Sequence, residues 1–413
     1  MGLGLLVAIV LARALGPEGY GTYSFVFAMV SLIAVPSQLG LPNVVVRETA
    51  RAQLHENFAL MRGLWRWATG AAALFSLALA GAGLVVALVL DDRLGVAELT
   101  TFALSLVLVP LRALGNLRGA ALRGLRRVVL GQLPETVLRP AFLLVLLLGL
   151  LLLPTGSLTP ARAMGLHSLA AGLAFVAGGW MLLRARPAGM RAAPPLTYQP
   201  RAWITAALPL ALVSGANLVI QYTDVLVLGL YRPADEVGLY RTAALSATTV
   251  AFGVHVVTTV AAPHFARLHA AGETARLQRV VTASTWAILL LTVPVVLAAA
   301  VGGGWILGHA FGIEYLGARD TLSVLLLGQL VRAVVGPVAM LLIMTGHEGE
   351  TARGMTVGAV ANLILNLLLV PSFGMIGAAA ATAASLAVWS VLLWSTARRR
   401  LGIETLPFVL PRR

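Results

Sequence analysis

Apolar residues run through this chain in long unbroken blocks, not in the alternation of a half-buried strand or the one-sided stripe of a surface helix. Twelve blocks stand out: 1–14, 19–46, 64–90, 97–117, 132–153, 161–183, 202–230, 236–262, 280–302, 320–345, 352–371 and 374–396. A helix needs about 20 apolar residues to cross a bilayer. The pattern therefore predicts an all-α polytopic membrane protein with about twelve transmembrane helices. The first block is short: residues 1–14 as a helix reach about 21 Å at ~1.5 Å per residue, against a hydrocarbon core of ~30 Å. This implies a start upstream of Met1 or a truncated first helix. A signal peptide at residues 2–12 is disfavoured, because no basic stretch precedes it. Segments 264–279 and 303–317 are more polar and read as short interfacial pieces.

Composition narrows the class. Of 413 residues, 59% are hydrophobic and 11% charged, against about 25% charged in a soluble domain. Mean hydropathy is +0.90. Too little charge remains for the surface of a soluble fold, a disordered chain or a coiled coil. The absence of cysteine removes disulfides, thiolate metal sites and cysteine nucleophiles. All 30 basic residues are arginine and 16 residues are acidic, giving a net charge of +14. In a soluble protein that excess points to nucleic acid. In a membrane protein it points to loops facing anionic lipid, so no nucleic-acid partner is expected.

The arginines also set the orientation. Twenty-one lie in one alternate set of connections and in the tail, among them Arg47, Arg62, Arg66, Arg118, Arg123, Arg186, Arg279 and Arg398; six lie in the other set. The positive-inside rule then puts both termini of this multi-pass protein in the cytoplasm. Arg118 and Arg123 are expected simply to face the cytoplasm. The loops on the other side are too short for a separate outer domain.

The two halves resemble each other. PEGYGTY at 17–23 matches PADEVGLY at 233–240, so that Glu18, Gly21 and Tyr23 fall on Asp235, Gly238 and Tyr240 at an offset of 217. The same offset carries Pro154 to Pro371, and an offset of 220 carries Arg112 in LRALG to Arg332 in VRAVVG. Spans of the same direction are related, which predicts two pseudo-symmetric six-helix bundles. The divisions expected are an N-terminal lobe at 1–184, a cytoplasmic linker at 185–200, a C-terminal lobe at 201–397 and a basic cytoplasmic tail at 398–413.

No Walker loop, HExxH or GxSxG points to an enzyme, and the histidines lack metal-ligand spacing. No catalytic residue, cofactor or metal is expected. The informative residues are ionisable and polar groups inside the spans. Arg112, Arg139 and Arg332 could bind phosphate or pyrophosphate through their forked guanidinium groups. Arg139 follows Glu135 by four residues and has an intrahelical ion pair as its alternative. Asn217, Gln221 and Asp224 share one face of span seven; Asn362 and Asn366 share one face of span eleven. With Thr382, the Asp224 set could hold Na⁺ or carry a proton, or could simply tie helices together. Asn217, Gln221 and His255 are candidate polar groups of a cavity.

ARALGPEGYGTYSF (12–25), GLPNVVVRETAR (40–51), TDVLVLGLYRPADEVGLYRTA (223–243) and NLILNLLLVPSFGMIGAAAATA (362–383) resemble the Wzx-type flippases of O-antigen and other lipid-linked oligosaccharides. These belong to the MOP exporter superfamily, with the lipid II flippases and MATE exporters. The resemblance covers nearly the whole chain. It implies two six-helix bundles in a V around a cavity that alternates between the two faces of the membrane. It implies a monomer that moves an oligosaccharide on undecaprenyl pyrophosphate, working with polysaccharide assembly enzymes. In the related lipid II flippases an Asp of span seven, residues of span eleven and a Thr of span twelve hold Na⁺. Asp224, Asn362, Asn366 and Thr382 match those positions, with Asn366 standing where an Asp is usual. The alternatives are a MATE-like exporter of small organic cations, a membrane polysaccharide polymerase or glycosyltransferase, and a non-transporting scaffold. The cation exporter predicts an acid-rich aromatic cavity, and the polymerase a long catalytic outer loop.

Overall fold

The computed structural model describes residues 2–34, 36–38, 40–89, 96–153, 157–190 and 196–407. Among these residues there is no strand. The helices are α1 (Gly2–Ile33), α2 (Leu41–Leu54), α3 (Phe58–Val89), α4 (Val96–Leu106), α5 (Leu108–Gly124), α6 (Val128–Leu133), α7 (Arg139–Leu151), α8 (Pro160–Ala185), α9 (Pro200–Tyr231), α10 (Ala234–Val250), α11 (Phe252–Ala270), α12 (Thr274–Ala310), α13 (Arg319–Val335), α14 (Val338–Met344) and α15 (Glu348–Leu401). Eight helical stretches are long and apolar enough to cross a membrane among the residues searched. Ile313–Val335 and Val338–Met344, bent by 44°, make a ninth if they form one span.

Two of these helices are pairs. In α15, Gly374 has φ 55° and ψ −135°, which no helix contains. The Asn362 amide lies 3.3 Å from Ser385 Oγ, yet 23 residues of straight helix would separate them by about 35 Å. The chain therefore doubles back at Gly374, and the two arms pack through Gly354 and Gly358 against Leu393 and Trp389. Gly16, with φ 67° and ψ 175°, likewise divides α1 in two just before Pro17. Gly16 falls between two hydropathy blocks, and Gly374 is the first residue of the block 374–396.

Other blocks are interrupted where the pattern gives one span. The block 19–46 breaks after Ile33, through a 3-10 turn at Pro36–Gln38, and resumes as α2. The block 97–117 breaks at Val107 between α4 and α5, and 320–345 breaks at Gly336–Pro337. Span five carries a π-helical turn at Pro134–Leu138. Each apart from Val107 has a proline at or beside the break, which removes a backbone donor without lowering hydropathy. Segment 303–317 is not one interfacial piece: its first part is the end of the 37-residue α12. Segment 264–279 joins the end of α11 to the start of α12.

The contacts gather into two compact units, Met1–Leu218 and Val219–Arg413. In the first, α2, α3 and α5 bury Leu41, Val44, Leu64, Ala68, Leu117 and Ala121 together with Trp203 from the start of α9. In the second, Phe265, Leu277, Val281, Leu341, Leu342 and Leu393 form the largest of its buried clusters described. Between α8 and α9, Thr197 donates its backbone N–H to Ala59 at 3.4 Å, so this connection lies against α3; residues 191–195 are outside the described set. Large apolar side chains such as Leu74, Leu88, Val145, Leu290 and Val301 point outward, as hydrocarbon-facing positions require.

Candidate functional site

In the second unit Asp224 of α9 is buried and its carboxylate is fully engaged. Oδ2 accepts from Tyr240 and Thr382 hydroxyls, both at 2.6 Å. Oδ1 accepts from the amides of Asn366 at 2.7 Å and Asn362 at 3.1 Å. Three elements thus converge on one acid: α9, α10 and both arms of α15. The i, i+4 spacing of Asn362 and Asn366 puts both amides on the face that meets α9. Oδ1 of Asn362 and of Asn366 are buried and accept no hydrogen bond among the described residues. A carboxylate, two spare amide oxygens and a hydroxyl are hard oxygen donors suited to a small cation such as Na⁺.

Four of the residues singled out in the sequence therefore come together, and Tyr240 joins them. It was visible only as the repeat partner of Tyr23. Its role could have been found from its position, since the same tyrosine in the first unit does a parallel job: Tyr23 OH lies 2.6 Å from His167 Nδ1. In each half a tyrosine just past the Pro-Asp/Glu motif reaches the last span of its own unit. Gln221 and His255 are exposed and lie outside the Asp224 cluster. The side chain of Asn217 is outside the described residues.

The arginines divide differently. Arg112 on α5 donates to Ser31 Oγ and lies over the Phe27 ring, 5.1 Å from its centroid. Arg332 on α13 lies over Trp389 at 5.8 Å. Neither has an acid within ion-pair distance among the described residues. The guanidinium faces are satisfied by aromatic quadrupoles, which leaves in-plane N–H donors for an anion. Arg139 instead pairs with Glu135 at 3.2 Å, the intrahelical alternative. Glu135 is held in the π-helical turn, where it also faces Arg118 Nη2 at 3.6 Å. Arg118 does not simply face water: its side chain is buried, with Nη1 donating to the Phe175 carbonyl. Gly178 on α8 makes the room, since a Cβ there would overlap the guanidinium.

Residues 1–269, well over half of the chain, match the family described as polysaccharide biosynthesis protein. Over 172 residues, 41% of this chain, the sequence is 32% identical to a Haloferax volcanii protein described as a probable low-salt glycan biosynthesis flippase, Agl15. That match spans 36% of the relative's length. Among solved structures, an inward-facing multidrug-resistance MATE family transporter of the MOP superfamily superposes with a TM-score of 0.76 at 13% identity, covering 97% of this chain and 94% of the other. The lipid II flippase MurJ in its inward closed conformation gives 0.72 at 12% identity, covering 96% and 85%. Identities this low speak to the fold alone, and the fold they share is a polytopic helical one. The chain belongs to the polysaccharide biosynthesis protein family, as a multi-pass membrane protein with the fold of the MOP transporters.

Proposed function

We propose that this protein is a flippase for lipid-linked glycans. It carries an oligosaccharide on a polyprenyl pyrophosphate from the cytoplasmic to the outer leaflet by alternating access, for surface polysaccharide assembly. Undecaprenyl pyrophosphate in a bacterial inner membrane is the specific cargo and setting proposed, with both termini cytoplasmic and the transporter acting as a monomer. The family match and the glycan flippase among its relatives support the substrate class.

The observation that carries the reading is the repeated arginine. Arg112 and Arg332 occupy corresponding spans of the two halves, each stacked on an aromatic ring and free of acid partners among the described residues. Two unneutralised guanidinium groups inside membrane helices are costly unless an anion uses them. A pyrophosphate takes bidentate hydrogen bonds from such groups. The cation exporter has the opposite requirement. Asp224 is the buried acid of the second unit's site, and four donors from α10 and α15 enclose its carboxylate, so it is not presented to a bulky organic cation. Na⁺ is the proposed ion, with H⁺ as the variant in which Asp224 itself titrates.

Binding in detergent separates these readings. A fluorescent polyprenyl pyrophosphate glycan is expected to bind the native chain, and Arg112→Ala/Arg332→Ala to weaken it by at least about tenfold, the loss of one charge-assisted hydrogen bond or more. Binding of a lipophilic cation in place of the glycan, unaffected by the arginine variant, would move the assignment to the MATE-like exporter.

A further inference from the structure

The first unit holds a cavity of about 740 Å³ whose lining includes neither Arg112 nor any residue of the Asp224 cluster. It lies between α3, α5, α8 and the segment after α8. Arg62 and Arg66 from α3, Arg118 from α5 and Arg186 just beyond α8 line it, with no acid in its wall. Most of the remaining lining is apolar, with Trp65 and Phe175 its aromatic members.

The arginines are graded by depth. Arg66 and Arg186 are exposed at the mouth. Arg62 is half-buried and donates to the Met190 carbonyl at 3.4 Å. Arg118 is only 6% exposed; its Nη1 donates to the Phe175 carbonyl and its Nη2 lies 3.6 Å from Glu135, while its Nε has no hydrogen-bond partner among the described residues. Four arginines against one nearby acid, Glu135, with a buried Arg118 Nε unsatisfied, an apolar wall beside it and two exposed cations at the mouth, complement a molecule with phosphate at one end and hydrocarbon at the other. Inorganic phosphate would leave the apolar wall unused. All four arginines come from the arginine-rich side of the sequence, and basic pockets between transmembrane helices on that side bind anionic headgroups.

We propose that this cavity is a binding site for an anionic phospholipid from the adjoining leaflet. The arginines hold its phosphate, and its glycerol and upper acyl chains lie along Trp65 and Phe175. The site belongs to one unit only and does not depend on glycan transport, so its test and that of the transport reading can fail separately.

The test uses the full chain, purified and stripped of lipid, titrated with short-chain phosphatidylglycerol or phosphatidylcholine and read by native mass spectrometry. Phosphatidylglycerol is expected to bind at least about tenfold more tightly. Arg62→Ala/Arg66→Ala/Arg186→Ala is expected to erase that preference, while Arg353→Ala, at an exposed position of the second unit, keeps it. A brominated phosphatidylglycerol provides a readout that does not depend on the triple variant folding. It is expected to quench tryptophan fluorescence in the native chain and to lose that component in Trp65→Phe. Equal binding of the two lipids, a preference that survives in the triple variant, or no loss of quenching in Trp65→Phe would overturn the proposal. Displacement of phosphatidylglycerol by inorganic phosphate at matched concentration would also overturn it, in favour of a free-anion site.

Discussion

Asp224 is a structural tie in the second unit. Its four hydrogen bonds join α9, α10 and both arms of α15. Asp224→Ala leaves two amides and two hydroxyls without their acceptor. At about 0.6–1 kcal/mol per bond in a membrane, the loss is roughly 2–4 kcal/mol, expected as a clear fall in the unfolding midpoint in detergent. Asp224→Asn keeps the shape and is expected to hold stability within about 1 kcal/mol while abolishing Na⁺ or pH dependence of transport. Unchanged ion dependence in that variant would reduce the cluster to a tie. Asp224, Asn362, Asn366 and Thr382 were legible because polar groups inside apolar blocks are few. Tyr240 was not singled out, because a tyrosine in a span is ordinary until its partner is known. Arg118 was misplaced for another reason. Counting loop charges sorts arginines by side of the membrane and does not register that Gly178 opens a slot for one of them.

At the scale of elements, hydropathy separated the spans that meet at Gly374 and missed the breaks inside blocks, as at Gly336. Gly374 and Gly336 have φ of 55° and 77°, a region in which a side chain is strained. Cβ atoms there would also press on the Glu236 carboxylate and on the Thr285 hydroxyl, respectively. Gly374→Ala is therefore expected to destabilise by at least about 1–3 kcal/mol, more than a substitution at Gly349, where a Cβ meets open space. Thermal unfolding of the two variants side by side checks this, and equal midpoints would contradict the turn at Gly374. The Glu236 carboxylate has its own part in that turn: it accepts from Met375 N–H at 3.2 Å, while Arg232 donates to the Pro371 carbonyl at 3.2 Å. The motif that identified the repeat, PADEVGLY, thus pins the hairpin between spans eleven and twelve. Its sequence pattern was readable, and its long-range purpose was not.

At the scale of the molecule, the repeat has a physical counterpart inside each unit. A tyrosine of the second span in each half bonds to the last span of the same half, and an arginine of the fourth span lies on an aromatic ring. The halves then diverge in chemistry. The first unit sets its tyrosine against His167 and Phe27, with Arg112 over the same Phe27 ring; the second sets it against Asp224 and Thr382, with two asparagines on the same carboxylate. Both halves thus keep a cation on an aromatic ring, and the second adds a set of hard oxygen donors around Asp224. The central claim is tested most directly by reconstituting the chain into liposomes containing a fluorescent undecaprenyl pyrophosphate glycan and following its transfer between leaflets. The account predicts transfer that depends on the protein and is lost in Arg112→Ala/Arg332→Ala. No transfer by a folded native protein, or transfer untouched by removing both arginines, would contradict it.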